Sequence, residues 1–314
     1  MVLKRRQLKP PRVTTGKERR WLDPSKGLFK RIERRLDVLV SRYVYPHMLG
    51  VWNPYSRLLH NRFSLAEISI SPPRWPANLP QLKVLLISDI HTGIFLKPEI
   101  LSEIVMALMD DVKPDLVAIA GDIVTGETTE LDEFVPALKP LSRAPLGAWF
   151  CYGNHDYFGG DPAGIRERLS SISITTLKNE SAIVNHGTGR FVLGGIDEPI
   201  FGCPDWDQLL SSHGPPHLLM AHHPDLFYQA EARKVALTLS GHTHGGQIRP
   251  PWTPPLVRQS QYCLDEGAYA HNGAVLVVSR GLGSVGLPLR YGADPEAVLI
   301  RVNSPSLALA EDNA

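Results

Sequence analysis

Five apolar runs in this chain each end in a side chain that handles metals or protons, and few folds permit that arrangement. Leu82-Lys-Val-Leu-Leu-Ile-Ser88 leads into Asp89-Ile-His91, and Asp115-Leu-Val-Ala-Ile-Ala120 leads into Gly121-Asp122. The run from Leu146 to Tyr152 leads into Gly153-Asn-His-Asp156. His217-Leu-Leu-Met-Ala221 leads into His222-His-Pro-Asp225, and Val235-Ala-Leu-Thr-Leu-Ser240 into Gly241-His-Thr-His244. Runs of this length bounded by Gly read as buried strands. Open α/β sheets place their chemistry just beyond the carboxyl ends of such strands.

The stretches between the runs support an α/β class. Ile100, Ile104, Leu108 and Val112 recur every four residues and predict a helix over 98–112. Further helices are expected near 130–139 and 162–171, so strand and helix alternate as in a sheet covered on both faces by helices. After Thr175 the pattern changes. Two short apolar runs flank His186-Gly-Thr-Gly189 as a hairpin, and strands follow at 217–221, 235–240, 274–279 and 297–302. This strand-rich second half is expected of two sheets packed face to face.

Asp89, His91, Asp122, Asn154, His222, His242 and His244 would be costly to gather at strand ends without a charge to bind. A mixed oxygen and imidazole set suits Mn²⁺, Fe or Zn²⁺ better than Ca²⁺ or a thiolate-bound metal. Seven such groups exceed one tetrahedral site and fit two metals sharing a carboxylate.

The ordered set Asp-x-His, Gly-Asp, Gly-Asn-His-Asp, His and Gly-His-x-His resembles the calcineurin-like metallophosphoesterase superfamily, from about Leu82 to Gly246. Ser240-Gly-His-Thr-His-Gly-Gly-Gln247, Ser279-Arg-Gly-Leu-Gly283 and Pro288-Leu-Arg290 are similar to one branch of it. That branch holds YkuE-like phosphoesterases and hydrolases of UDP-2,3-diacylglucosamine.

The resemblance implies a four-layer αββα sandwich and two divalent transition-metal ions, Mn foremost. It implies that Asp89, His91 and His244 hold one ion, that Asn154, His222 and His242 hold the other, and that Asp122 bridges them. His222 is preferred to His223 because the family pattern places the ligand two residues before Pro224. His155 would face the phosphoryl group as acid or charge stabiliser, and Arg280 is the candidate substrate contact. The implied reaction is hydrolysis of a phosphoester or pyrophosphate bond by hydroxide held between the metals. One position departs from the pattern: Thr125 stands where many members carry the Asp that orients the catalytic His, and Asp156 is the candidate to take over.

Charge divides the chain. Residues 1–62 carry sixteen Lys/Arg against four Asp/Glu, a balance of +12, and the remainder balances at −11. An acidic body lacks the basic groove of a nucleic-acid protein, so the alternative of a nuclease is disfavoured. A non-enzymatic binding module is disfavoured because no ligand position is missing. Residues 1–60 are expected to form a basic extension, loosely attached over 1–25, ahead of a catalytic domain at 61–314. Phe29, Ile32, Leu36, Leu39 and Tyr43 predict an amphipathic helix with Arg31, Arg34, Arg35 and Arg42 upon it. Residues 28–48 are thereby a candidate contact for an anionic membrane. No stretch has the roughly 18–20 apolar residues of a membrane span, and three cysteines at unrelated spacings suggest free thiols. The expected setting is cytoplasmic and peripheral on the inner membrane face, with a phosphorylated small molecule or lipid-linked substrate.

Overall fold

In the computed structural model the described residues are 4–14, 62–93, 95–286 and 289–305. The expected amphipathic helix and the proposed domain boundary near residue 60 lie outside them. The strands of the first sheet, in chain order, are β1 (Lys4–Gln7), β3 (Ser64–Ile70), β4 (Leu82–Ile87), β5 (Leu116–Ala120), β6 (Ala148–Cys151), β7 (Ile174–Thr176) and β14 (Glu296–Val302). Their spatial order is β1-β3-β14-β4-β5-β6-β7. The second sheet holds β2 (Arg12–Val13), β8 (Glu180–His186), β9 (Gly189–Gly195), β10 (Leu218–Met220), β11 (Leu237–Ser240), β12 (Gly267–His271) and β13 (Ala274–Val278). Its order is β2-β12-β13-β11-β10-β9-β8.

The burial of alternate residues fixes the layers, because successive side chains on a strand face opposite ways. Leu85, Ile87, Val117 and Ile119 pack with Leu101, Ile104 and Leu108 of the helix α1 (Pro98–Val112). Their neighbours Val84, Leu86, Ala118 and Ala120 face the other way, against Leu218, Met220, Leu237 and Leu239 of the second sheet. On that sheet's far side Leu219 meets Trp206, Leu209 and Ala230, which lie on short helices. The molecule is therefore a helix–sheet–sheet–helix sandwich. The strand–helix alternation alone implies helices on both faces of the first sheet; one of those faces is instead covered by the second sheet. Both readings bury every strand face, so a continuous apolar run does not distinguish them.

The N-terminal residues differ from the expectation of loose attachment. Lys4–Gln7 pairs in parallel with β3, and Arg12–Val13 pairs with β12. Arg5 pairs with Glu67, and Arg6 with the buried Glu296, which also accepts from Arg280 Nη2 at 2.9 Å. A basic, proline-broken stretch looks unstructured by composition because its strand pairing is non-local, contributed by edges that composition does not reveal. All three cysteines are free thiols.

Glu296 is enclosed with two guanidinium groups against it, so Glu296→Ala should leave the buried Arg280 with only its longer contact to Glu266, at 3.5 Å. The expected loss is about 3–5 kcal/mol of unfolding free energy, read from urea denaturation.

Candidate metal centre

Strand ends from both sheets meet at one edge of the sandwich. Asp89 and His91 follow β4, Asp122 follows β5, and Asn154 with His155 follows β6. From the facing sheet His222 follows β10, while His242 and His244 follow β11. All are buried except His155, which is half-buried.

The side chains converge as two overlapping clusters. Asp89, His91 and His244 bring one ligand atom each within 4.8 Å of the others, as do Asp122, His222 and His242. His91 Nε2 and His244 Nε2 are 3.1 Å apart, and His244 Nε2 lies 3.4 Å from Asp89 Oδ1. In the second cluster His242 Nδ1 stands 2.8 Å from Asn154 Oδ1 and 3.3 Å from His222 Nε2. Asp122 Oδ2 lies between the two, 3.7 Å from His91 Nε2 and 3.3 Å from His222 Nε2. His223, the alternative to His222, accepts from the Asp225 amide through Nδ1 at 3.3 Å, and its ring packs on that of His242 at 4.2 Å between centroids. His155 joins a third grouping with His91 and Asp122.

The backbone there is unusual. Asp89, His91, Asp122, His242 and His244 have φ of 50°, 49°, 52°, 71° and 51°. Such left-handed conformations cost L-residues energy and persist where the surroundings over-determine them. Two glycines admit the close approach. A Cβ on Gly153 would run into Asp122 Oδ1, and one on Gly241 into Asp89 Oδ2. Backbone bonds then lock the sheets together: the His242 amide donates to Asp89, and His222 Nδ1 donates to the Ala120 carbonyl at 2.7 Å.

Asp156 does not orient His155, as the sequence suggested it could. Its carboxylate accepts from the amides of Asp122 and Ile123, both at 2.9 Å, and Gly153 at 2.7 Å. Asp156 thus staples two strand-end turns together. His155 Nδ1 instead meets the backbone carbonyl of Thr125 at 2.6 Å, so the position that lacks the family's Asp still supplies an acceptor. Arg280 pairs with Glu296 and stands 3.5 Å from Glu266, with its stem beside Gly245. Arg290, to which sequence reasoning gave no role, touches the cluster directly. Its fully buried guanidinium donates to His244 Nδ1 at 2.9 Å and to the carbonyls of Gly283, Ala293 and Arg280. The available signal was the Pro288-Leu-Arg290 motif, which sets an arginine directly after the apolar stretch 285–289.

The electrostatics suit a cation. Burial, reinforced by neighbouring positive groups, holds His91, His242 and His244 well below the ordinary histidine range. They are therefore neutral, the form that binds metals. Burial pushes Asp89 up to about 6. Burial would also raise Asp122, but the charges of His222 and His155 outweigh it and hold this carboxyl well below its usual range. Burial opposes a charge on His222, yet Asp122 and Asp89 lift it to about 10. Facing imidazole nitrogens and two carboxylates without bulk water are a donor set that fits divalent ions. Buried His91 Nδ1 has no hydrogen-bond partner among the described residues.

Residues 82–246, just over half the chain, match the profile of a family described as Calcineurin-like phosphoesterase. The chain is 29% identical over 270 residues to the "Uncharacterized metallophosphoesterase YkuE" of Bacillus subtilis, covering 84% of this chain and 89% of that one. It is 31% identical over 235 residues to "Phosphodiesterase YaeI" of Escherichia coli, covering 72% and 83%. A Danio rerio "Transmembrane protein with metallophosphoesterase domain" is 31% identical over 251 residues, covering 74% of this chain but 55% of that longer protein.

Two outcomes follow from the geometry. Asp156→Asn points an amide N–H₂ at backbone donors, and each stranded buried donor costs about 1–3 kcal/mol. Denaturation should show that loss, and metal affinity should fall as the Asn154 turn shifts. His222 is raised above its ordinary 6.5 by Asp122. Its contribution to stability without metal is therefore complete below 6.5 and lost as pH rises through about 10. Metal uptake at pH 8 should accordingly release about one proton per chain from His222, measured by calorimetry in buffers of different ionisation enthalpy.

Proposed function

This chain belongs to the calcineurin-like phosphoesterase family and is a metal-dependent phosphohydrolase, and on that premise we propose that it cleaves a phosphoester carried at a lipid surface with two divalent ions, Mn²⁺ foremost. The observation that carries the metal part is the pair of clusters sharing the region of Asp122 Oδ2. Asp89, His91 and His244 would hold one ion. Asn154, His222 and His242 would hold the other, with Asp122 serving both. When bound, such ions supply Lewis acidity that neutralises phosphoryl oxygens and lowers the pKa of water.

The chain's own residues do the rest. The Asp122 carboxylate also accepts from the His155 amide at 2.8 Å, so the residue shared by both clusters positions the acid–base candidate. With Nδ1–H of His155 held by the Thr125 carbonyl, Nε2 is the nitrogen left to face the leaving oxygen, and the ring in its imidazolium form can give that oxygen a proton and return to neutral. Phe158 packs on the His155 ring at 4.3 Å between centroids and limits its rotation. Arg280, engaged by Glu296, is the weaker candidate for a substrate contact.

The lipid-surface part is supported by the +12 balance of residues 1–62 and by the relative described as a transmembrane protein. Among the described residues no helix is long and apolar enough to cross a membrane.

Elemental analysis of protein purified without chelator should find close to two transition ions per chain, with turnover of an aryl phosphodiester. Persistent absence of metal after Mn²⁺ reconstitution would overturn the ligand assignment, and Asp122→Asn should be the most damaging ligand change. His155→Ala should lower kcat by about 10²–10⁴-fold with metal content nearly intact. Loss of metal in that variant would make His155 a ligand instead.

A further inference from the structure

Nine large apolar side chains are exposed among the described residues, and five of them sit on two neighbouring loops. Trp252 is 101% exposed, Leu256 67% and Val257 58% on one loop; Leu289 is 45% and Tyr291 48% exposed on the other. Isolated exposed apolar residues are ordinary, but a group on adjoining loops marks a contact surface.

The two loops form one platform. The Arg249 amide donates to the Tyr291 carbonyl at 2.7 Å, the Tyr291 amide to Gln247 at 2.9 Å, and the Leu256 amide to Ile248 at 3.0 Å. The Gln247 side chain bonds both the amide and the carbonyl of Val285. Pro250, Pro251, Pro254 and Pro255 stiffen the first loop, and Trp252 is held at a φ of 64°, an outlier for so bulky a residue. The platform is rooted in the metal centre. Pro255 packs on Gly246, two residues after His244, and Tyr291 follows Arg290, which holds the His244 ring.

Charge indicates what covers this platform. Although the body balances at −11, neither 242–264 nor 267–293 contains a single Asp or Glu. The flanking Arg249 and Arg258 are paired with Glu266 and Asp265, so the platform itself is close to neutral. Arg62, the last residue of the basic stretch 1–62, lies 3.6 Å from Asp294, three residues beyond Tyr291. An apolar, acid-free tip bearing Trp and Tyr, near the residue at which a stretch balancing at +12 ends, complements an anionic bilayer interface. There indole and phenol rings settle at headgroup level and basic residues meet the lipid charge.

We propose that the loops 248–257 and 289–291 are a bilayer-docking surface that seats the metal centre against anionic lipid. The proposal rests on reading the site as a phosphoesterase whose substrate is carried at a lipid surface. Docking through Trp252 and Leu256 presents the His244 side of the site to the membrane. A lipid-borne phosphoester then reaches the metals without its acyl chains leaving the bilayer.

The test is flotation of the full-length, metal-loaded chain with phosphatidylcholine vesicles, with and without phosphatidylglycerol. Wild type should float with the anionic vesicles, and its tryptophan emission should shift to the blue. The double variant Trp252→Ser/Leu256→Ser should bind at least about tenfold more weakly, since two apolar anchors are lost. Its metal content and melting temperature should stay at wild type, because both side chains lie in solvent. Flotation of the double variant equal to wild type would overturn the proposal, as would wild type failing to float with anionic vesicles. Self-association of wild type abolished in the variant, without vesicle binding, would assign the platform to a second copy of the chain and equally overturn it. Flotation is scored apart from turnover. Wild type that floats but fails to hydrolyse a soluble aryl phosphodiester would therefore count against the phosphoesterase reading and leave the docking standing.

Discussion

Asp89 and Asp122 lie buried where the carboxyl ends of two sheets face one another, and the surrounding structure is arranged around that burial. A carboxylate removed from water must be compensated, or its proton returns. At Asp122 the compensation comes from His222 on the opposite sheet. At Asp89 it comes partly from the amide of His242, again across the interface. The sandwich is therefore stitched at this edge by polar contacts between layers. Over most of its area the same interface is apolar, with Leu86 and Ala118 against Leu218 and Leu239. Divalent ions in the clusters would take over the compensation that His222 now gives as a cation, so ion binding and the docking of the sheets are linked.

The stitching also explains why ligand-bearing residues are strained. Strands β4, β5 and β11 run straight into the edge, yet their next residues must turn a side chain sideways into a narrow space. Asp89, Asp122 and His242 achieve this with positive φ, and Asp156 holds the Asp122 turn by accepting from three consecutive amides there, Val124 included at 3.3 Å. Relaxing any one turn would separate these buried groups from the partners that compensate them.

The sequence showed the chemistry more clearly than the architecture. Strand ends can be read because apolar runs stop abruptly at Asp, Asn or His, and α1 because its four-residue repeat is regular over Pro98–Val112. What covers each strand face was not readable from the runs themselves, since both faces are buried. Lys4–Gln7 and Arg12–Val13 escaped notice because their hydrogen bonds lie with Ser64–Glu67 and Tyr269–Ala270, far along the chain. The roles of Asp156 and Arg290 were not legible for a related reason. Each works through backbone groups or a remote ring nitrogen, and residue identity carries no trace of such partners.

Arg290 also sets a condition on the first cluster. Rings that hold metals usually give their second nitrogen's proton to a carbonyl or carboxylate. A guanidinium has donors alone, so here His244 Nδ1 accepts from Arg290. The same arginine bonds the carbonyls of Gly283, Ala293 and Arg280, so it ties the loop bearing Tyr291 to the ligand ring. The position of His244 is thereby coupled to the exposed loops through a single buried, permanently charged side chain.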